Sequence, residues 1–168
     1  MIRAARPADV PAILALVRAL AAYEREPDAV AMTVDDLHQA LFGPTPSASC
    51  LVATADITAD TTAGGPSAPV VGFAIWHQTF STWTGQAGMY LVDLFVRPEH
   101  RRGGHGRGLL AALAEICVRR GLRRLEWAVL DWNTPAQEFY RSLAAGPMNG
   151  WTTWRLDGDA LRALAIPT

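Results

Sequence analysis

Cysteine is scarce in this chain of 168 residues: Cys50 and Cys117 stand far apart, in no CxxC or cysteine–histidine spacing. That excludes a disulfide framework and a cysteine-bound zinc, and both are read as core thiols. The four histidines, His38, His77, His100 and His105, share no metal-ligand spacing, so no metal is expected. Long hydrophobic runs are missing too. Hydrophobic residues make up 50% of the chain, but charge interrupts them well short of the roughly 18 needed to cross a bilayer, so a soluble protein with no membrane partner is expected. There is no surplus of charge: 15 basic against 16 acidic residues leave a net charge of −1. Nucleic acid is therefore not an expected partner. The opening residues, MIRAARPADVPAIL, lack a basic region followed by an apolar stretch and a small-residue cleavage site, which favours the cytoplasm. No internal repeat is visible.

What is present reads as one domain over residues 1–168 with alternating elements. Residues 2–5 suit a strand. Pro7 suits a first helical turn, after which Val10, Ile13, Leu14, Val17 and Leu20 recur on one face. Thr33 can cap a second helix through Leu37 and Leu41 to Gly43. Strands are expected at 50–55, 70–80 and 88–96, the last two forming an antiparallel hairpin around Gly85 and Gly88. The small, polar, glycine- and proline-containing segment 56–69 is expected to be a mobile loop. A helix from about Gly104 to Arg120 follows, then a strand at 124–130. Thr134 as cap and Pro135 in the first turn start another helix, which Gly146 ends. A last strand is expected at 151–156. This order predicts an α+β (mixed α/β) fold with a mostly antiparallel sheet flanked by helices.

Between the strand YLVDLFV and the long helix lies RPEHRRGGHGRGLL, residues 97–110, with four glycines and four arginines. Helix N-termini present unpaired N–H groups and partial positive charge, and glycines let loop backbone approach an anion. Gly103, Gly104 and Gly106 can supply that approach; Arg101, Arg102 and Arg107 add charge. The direct reading is a phosphate or pyrophosphate site, with a solvated basic turn as the plainer alternative. The loop ends Gly106-Arg107-Gly108, not the Gly-Lys-Ser/Thr of a P-loop, and it lies past mid-chain with the wrong spacing for a dinucleotide fingerprint.

The pattern Arg101-x-x-Gly104-x-Gly106 between a strand and a long helix resembles the pyrophosphate loop of the GNAT N-acetyltransferase superfamily. AAYERE (21–26), residues 89–110 and VLDWNTPAQEFYRSLAAGPM (129–148) resemble its diamine, or spermidine/spermine, N-acetyltransferase branch. The resemblance implies acetyl-coenzyme A as co-substrate, a small-molecule amine as acceptor and a homodimer. It gives Leu94, Phe95 and Val96 to the pantetheine-pairing strand, and Arg101, Arg102, Gly103, Gly104, His105, Gly106 and Arg107 to the pyrophosphate. It makes Asn133 and Ala136 further coenzyme contacts, Tyr140 the acid that protonates the departing thiolate, and Tyr23 and Glu24 the acceptor side. Tyr140, about 100° around a helix from Phe139, also suits the flank of a buried stripe, where a boundary tyrosine is the plainer reading.

One departure stands out. Where the polyamine branch carries a glutamate before the strand aspartate, this chain has Val92, which neither takes a proton nor attracts an ammonium. Asp93 is retained, but strand alternation sends it to the other face unless a bulge rotates the strand or a water bridges. A structural carboxylate is the plainer reading. Trp83, in FSTWTGQAG, is a candidate lining of the acceptor pocket beside the plainer reading of a turn residue packed on the sheet. The sequence thus predicts acetyl transfer to a primary amine, with a monocationic, amino-acid-like or apolar amine preferred over a polyamine. A non-catalytic acyl-coenzyme A sensor, favoured by Val92, and a nucleotide-binding module are the alternatives.

Overall fold

The computed structural model describes residues 1–55 and 68–165. Most of the 56–69 loop expectation therefore lies outside the described residues. The described chain clusters into two compact units, Met1–Ala128 and Val129–Thr168.

In the first unit, β1 (Ile2–Ala4) leads through a 3₁₀ turn (Pro7–Asp9) into α1 (Val10–Tyr23). The apolar positions at three-and-four spacing drive this helix: Val10, Ile13, Leu14 and Leu20 are buried as expected, and Leu16 joins them. Its entry is fixed by Asp9, whose carboxylate accepts both Arg3 guanidinium nitrogens at 2.6 and 2.8 Å and the Arg6 amide at 2.7 Å. The Arg3 hydrogen bonds hold the Asp9 carboxyl below the usual carboxylate range. Helix α2 (Val34–Phe42) starts at a reciprocal cap: Thr33 Oγ1 accepts the Asp36 amide at 3.1 Å, and the Thr33 amide donates to the Asp36 carboxylate at 2.9 Å.

Strands β2 (Ser49–Thr54), β3 (Val70–Ser81), β4 (Gln86–Val96) and β5 (Leu125–Glu126) follow, with a 3₁₀ turn (Pro98–His100) and α3 (His105–Arg120) between the last two. The sheet order is β1-β2-β3-β4-β5; the first three pairings are antiparallel and β4–β5 is parallel. The β3–β4 hairpin turns at residues 82–85, where Gly85 takes a φ of 64°. On one face Val52, Phe73, Ile75 and Phe95 form a core with α1 and α2. On the other lies α3, whose Leu109, Leu110, Leu113 and Cys117 are buried and whose Cys117 Sγ lies 3.8 Å from Met89 Sδ.

The expected strand at 124–130 is shorter: only Leu125 and Glu126 pair with β4. In the second unit α4 (Thr134–Arg141) is capped by Asn133, not Thr134, its Oδ1 accepting the Ala136 amide at 3.3 Å. Thr134 and Pro135 occupy the first turn. The helix stops at Arg141, before Gly146, because the chain turns to a positive φ of 63° at Ala144. No strand forms at 151–156 among the described residues; those side chains are exposed, and the chain next forms α5 (Gly158–Ala165). WTTWRL needs a partner strand and pairs with none among the described residues, whereas DALRALA satisfies its own backbone locally and adds an Asp159–Arg162 ion pair.

Candidate active site

The decisive local feature is in β4. Ile75 on β3 stands opposite Asp93 and Trp76 opposite Leu91, so Val92 is an extra residue in the ladder. Cross-strand partners share a face. Leu91 therefore lies with Trp76 on the α3 side, while Asp93 joins Ile75, and Phe95 joins Phe73, on the α1 side. Unbroken alternation would have put Asp93 with Leu91; the bulge turns it over. Of the two routes by which Asp93 could act on the other face, a bulge or a bridging water, the strand takes the bulge. Val92 is 46% exposed at the crest.

Helix α1 ends beneath this point. Glu24, its C-cap, stands close enough to Asp93 for their charges to interact. Burial pushes the Asp93 carboxyl above its ordinary range. Burial, and then the neighbouring Asp93 charge, push Glu24 up as well. Two carboxylates that resist ionising together make a site that welcomes one cation or one proton. Beside them Tyr23 closes the end of α1, and the Arg101 guanidinium carbon lies 5.0 Å from its ring centroid.

The basic loop runs from the end of β4 into α3. Arg102 and Gly104 both take left-handed backbone, with φ of 64° and 79°. At Gly104, the α3 N-cap, a Cβ would project into open space. The bare backbone is therefore exposed to approach. Gly103 precedes it, while His105, Gly106 and Arg107 form the first turn of α3, whose amides have no acceptor within the helix. A second feature lies along β4: pairing with β5 ends at Tyr90, while pairing with β3 continues to Val96. Among the described residues, the β5-side backbone edge of Leu94, Phe95 and Val96 has no strand partner. The Phe95 side chain is core, so its contribution at this edge is through the backbone. An open strand edge running toward an anion cradle suits an extended amide-bearing chain that ends in a pyrophosphate, which is the shape of coenzyme A.

Residues 15–144 match the acetyltransferase (GNAT) family. The chain belongs to the GNAT acetyltransferase family. It is an acetyl-coenzyme A-dependent N-acetyltransferase, so the sensor and nucleotide-module alternatives give way. A thialysine N-epsilon-acetyltransferase of Bos taurus is 39% identical over 98% of this chain and 96% of its own length. An L-ornithine N5-acetyltransferase of Arabidopsis thaliana is 30% identical over 97% of this chain and 86% of its own. Among solved structures, an integron cassette protein from V. cholerae superposes with a TM-score of 0.75 at 25% identity, covering 98% of this chain and 96% of that one.

The other residues singled out from the sequence fall in both units. Trp83 sits at the tip of the β3–β4 hairpin, 85% exposed and beyond the last ladder pair, Ser81–Gln86, which is six β3 positions from the Ile75–Asp93 pair, about 20 Å along the strands. It is not brought to the carboxylates. Tyr140, half-buried on α4, has its ring 5.4 Å from that of Phe139. Asn133 is buried and its side-chain oxygen is engaged in the α4 cap, which leaves Ala136 in the first turn of that helix. No group of three metal-ligating side chains occurs among the described residues, nor does a helix long and apolar enough to span a membrane. What the sequence did not reveal is the reach of Arg101, which leaves its own loop to lie against α1 and β4.

Proposed function

We propose that this enzyme acetylates the terminal side-chain amine of a small amino acid, with Asp93 taking the proton from the incoming ammonium. The bulge at Val92 carries this reading, because it sets Asp93 on the face that holds Glu24. The amine must lose a proton before it attacks the thioester carbon, and a carboxylate with a raised pKa is a better base for that step than an ordinary one. Leu94 to Val96 and Arg102 to Arg107 hold the acetyl donor, with Arg101 placed between the donor and acceptor sides. Tyr140 supplies the proton to the departing thiolate, and Tyr23 and Glu24 wall the acceptor. Asn133 acts by capping α4, and Trp83 stands outside the acceptor pocket. Residues 1–168 work as one catalytic domain, a reading supported by a family match that crosses from the first unit into the second. The enzyme forms a homodimer. The two free, buried cysteines suit a reducing cytoplasm.

The acceptor class follows from charge. Glu24 and Asp93 offer one place for one ammonium, and Val92 offers none for a second. A partly desolvated ammonium–carboxylate pair contributes about 1–3 kcal/mol, so a polyamine loses roughly 10- to 100-fold in preference here. Relatives named for acting on thialysine and on L-ornithine support an amino-acid acceptor. Free-thiol release measured with L-ornithine, thialysine and spermidine tests the reading. The native enzyme is expected to prefer the amino acids by kcat/KM, and Val92→Glu to shift preference toward spermidine. A native preference for spermidine that Val92→Glu leaves unchanged overturns it.

A further inference from the structure

Arg101 opens the cofactor loop, yet its side chain does not extend with that loop. Nε donates to the carbonyl of Val96, the last residue of β4, at 3.0 Å. The guanidinium carbon then lies 5.0 Å from the centroid of Tyr23 and 5.5 Å from that of Phe95. One planar cation therefore bridges the start of the loop, the end of the substrate-bearing strand and the last residue of α1. A guanidinium held by a fixed carbonyl and two rings has little freedom left, so its position reports that of the backbone carrying it.

The structure assigns Arg101 as a positioning residue that transmits occupancy of the cofactor loop to the acceptor wall at Tyr23 and Glu24. The end of α1 is a segment that can respond. It closes with three hydrogen bonds, from the amides of Glu24, Arg25 and Glu26 to Leu20, Ala22 and Ala21 at 2.9, 3.2 and 2.9 Å, and Arg25 takes a φ of 70°. Helix ends of this kind open locally at small free-energy cost. Coenzyme bound across the loop amides fixes the backbone at Arg101, and Arg101 in turn holds the Tyr23 ring and with it the final turn that carries Glu24. Because a cation already lies against Tyr23, recognition of the acceptor ammonium falls to Glu24 and Asp93 and not to the aromatic ring. The coupling is reciprocal: the factor by which coenzyme tightens acceptor binding is the factor by which acceptor tightens coenzyme.

This inference rests on the reading of the loop as the coenzyme cradle, and its test separates the two. Hydrogen exchange is followed on the full chain with and without coenzyme A, in native protein, Arg101→Lys, Tyr23→Leu and Tyr23→Phe. In native protein, coenzyme A is expected to slow exchange at the amides of 102–107 and also, by about 5-fold or more, at those of Glu24, Arg25 and Glu26. Arg101→Lys keeps the charge but loses the planar stack and the Nε–H, so it should retain protection of the loop and lose protection of the α1 end. Tyr23→Leu should do the same, and Tyr23→Phe, which keeps the ring, should behave as native. Protection of Glu24 to Glu26 that survives in Arg101→Lys overturns the coupling. So does loss of loop protection in that variant, which would make Arg101 a direct phosphate ligand. Absence of loop protection in native protein removes the cradle itself, whereas failure to acetylate any amine tested bears only on the acceptor reading.

Discussion

Asp93 is a carboxylate held where ionisation is disfavoured, and that placement sets its stability against its use. Its folded pKa lies above the unfolded one, as does that of Glu24. Stability from these groups is therefore fullest at low pH, below the unfolded carboxylate range, and is lost as pH rises through the folded values. Asp93→Asn removes the ionisation and should raise Tm at pH 7 by about 2–6 °C, with the gain shrinking toward pH 4. The same variant should lower kcat/KM and abolish the limb of the pH profile that rises above the ordinary carboxylate range. Tyr140→Phe should differ: kcat falls by roughly 10- to 10³-fold over the whole profile while coenzyme affinity holds. An Asp93→Asn enzyme with native activity would remove the base; a Tyr140→Phe enzyme with native kcat would remove the acid.

At the scale of the element, the loop and the bulge each depend on backbone that a regular strand or helix does not use. Gly104 has room for a side chain but not the dihedral: at φ of 79° any L-residue is strained by about 1–2 kcal/mol, and its Cβ would stand where the backbone is to be approached. Gly104→Val should abolish the rise in Tm that acetyl-coenzyme A gives the native protein, while lowering the ligand-free Tm only modestly. A thermal shift equal to that of the native protein would place coenzyme elsewhere. The bulge is the complementary case. Its extra residue spends one position of β4 without a partner and in return changes the face of everything that follows, Asp93 first.

At the scale of the whole molecule, two properties of the chain stand out. It contains no lysine, all 15 of its Lys+Arg positions being arginine, so it offers no ε-amine for its own acetyl donor to modify. The second unit carries large apolar side chains in the open, among them Met148, Trp151 and Trp154, the last 90% exposed. A run of this kind is characteristic of an interface. The proposed homodimer should sediment near twice the 18.1 kDa chain mass at micromolar concentration, and Trp154→Asp should shift it toward the monomer. A native protein that sediments as a monomer overturns the dimer.

The sequence by itself determined what depends on neighbours along the chain. Apolar spacing in α1, the Thr33 cap, the hairpin at Gly85 and the glycine-rich entry to α3 are local choices of dihedral and periodicity, and each forms as its residues dictate. The family was legible for the same reason, from the Arg-x-x-Gly-x-Gly spacing between a strand and a long helix. Partnership across the fold was not. WTTWRL has strand propensity but pairs with no strand among the described residues, and a segment without a partner does not form that element whatever its propensity. Period-two alternation in YLVDLFV gives no sign of a bulge, because the extra residue is defined only by what stands opposite on β3. Tertiary structure alone decided that Asp93 shares a face with Ile75 near Glu24, and that Arg101 lies against Tyr23, residues far apart in the chain that only packing brings within reach.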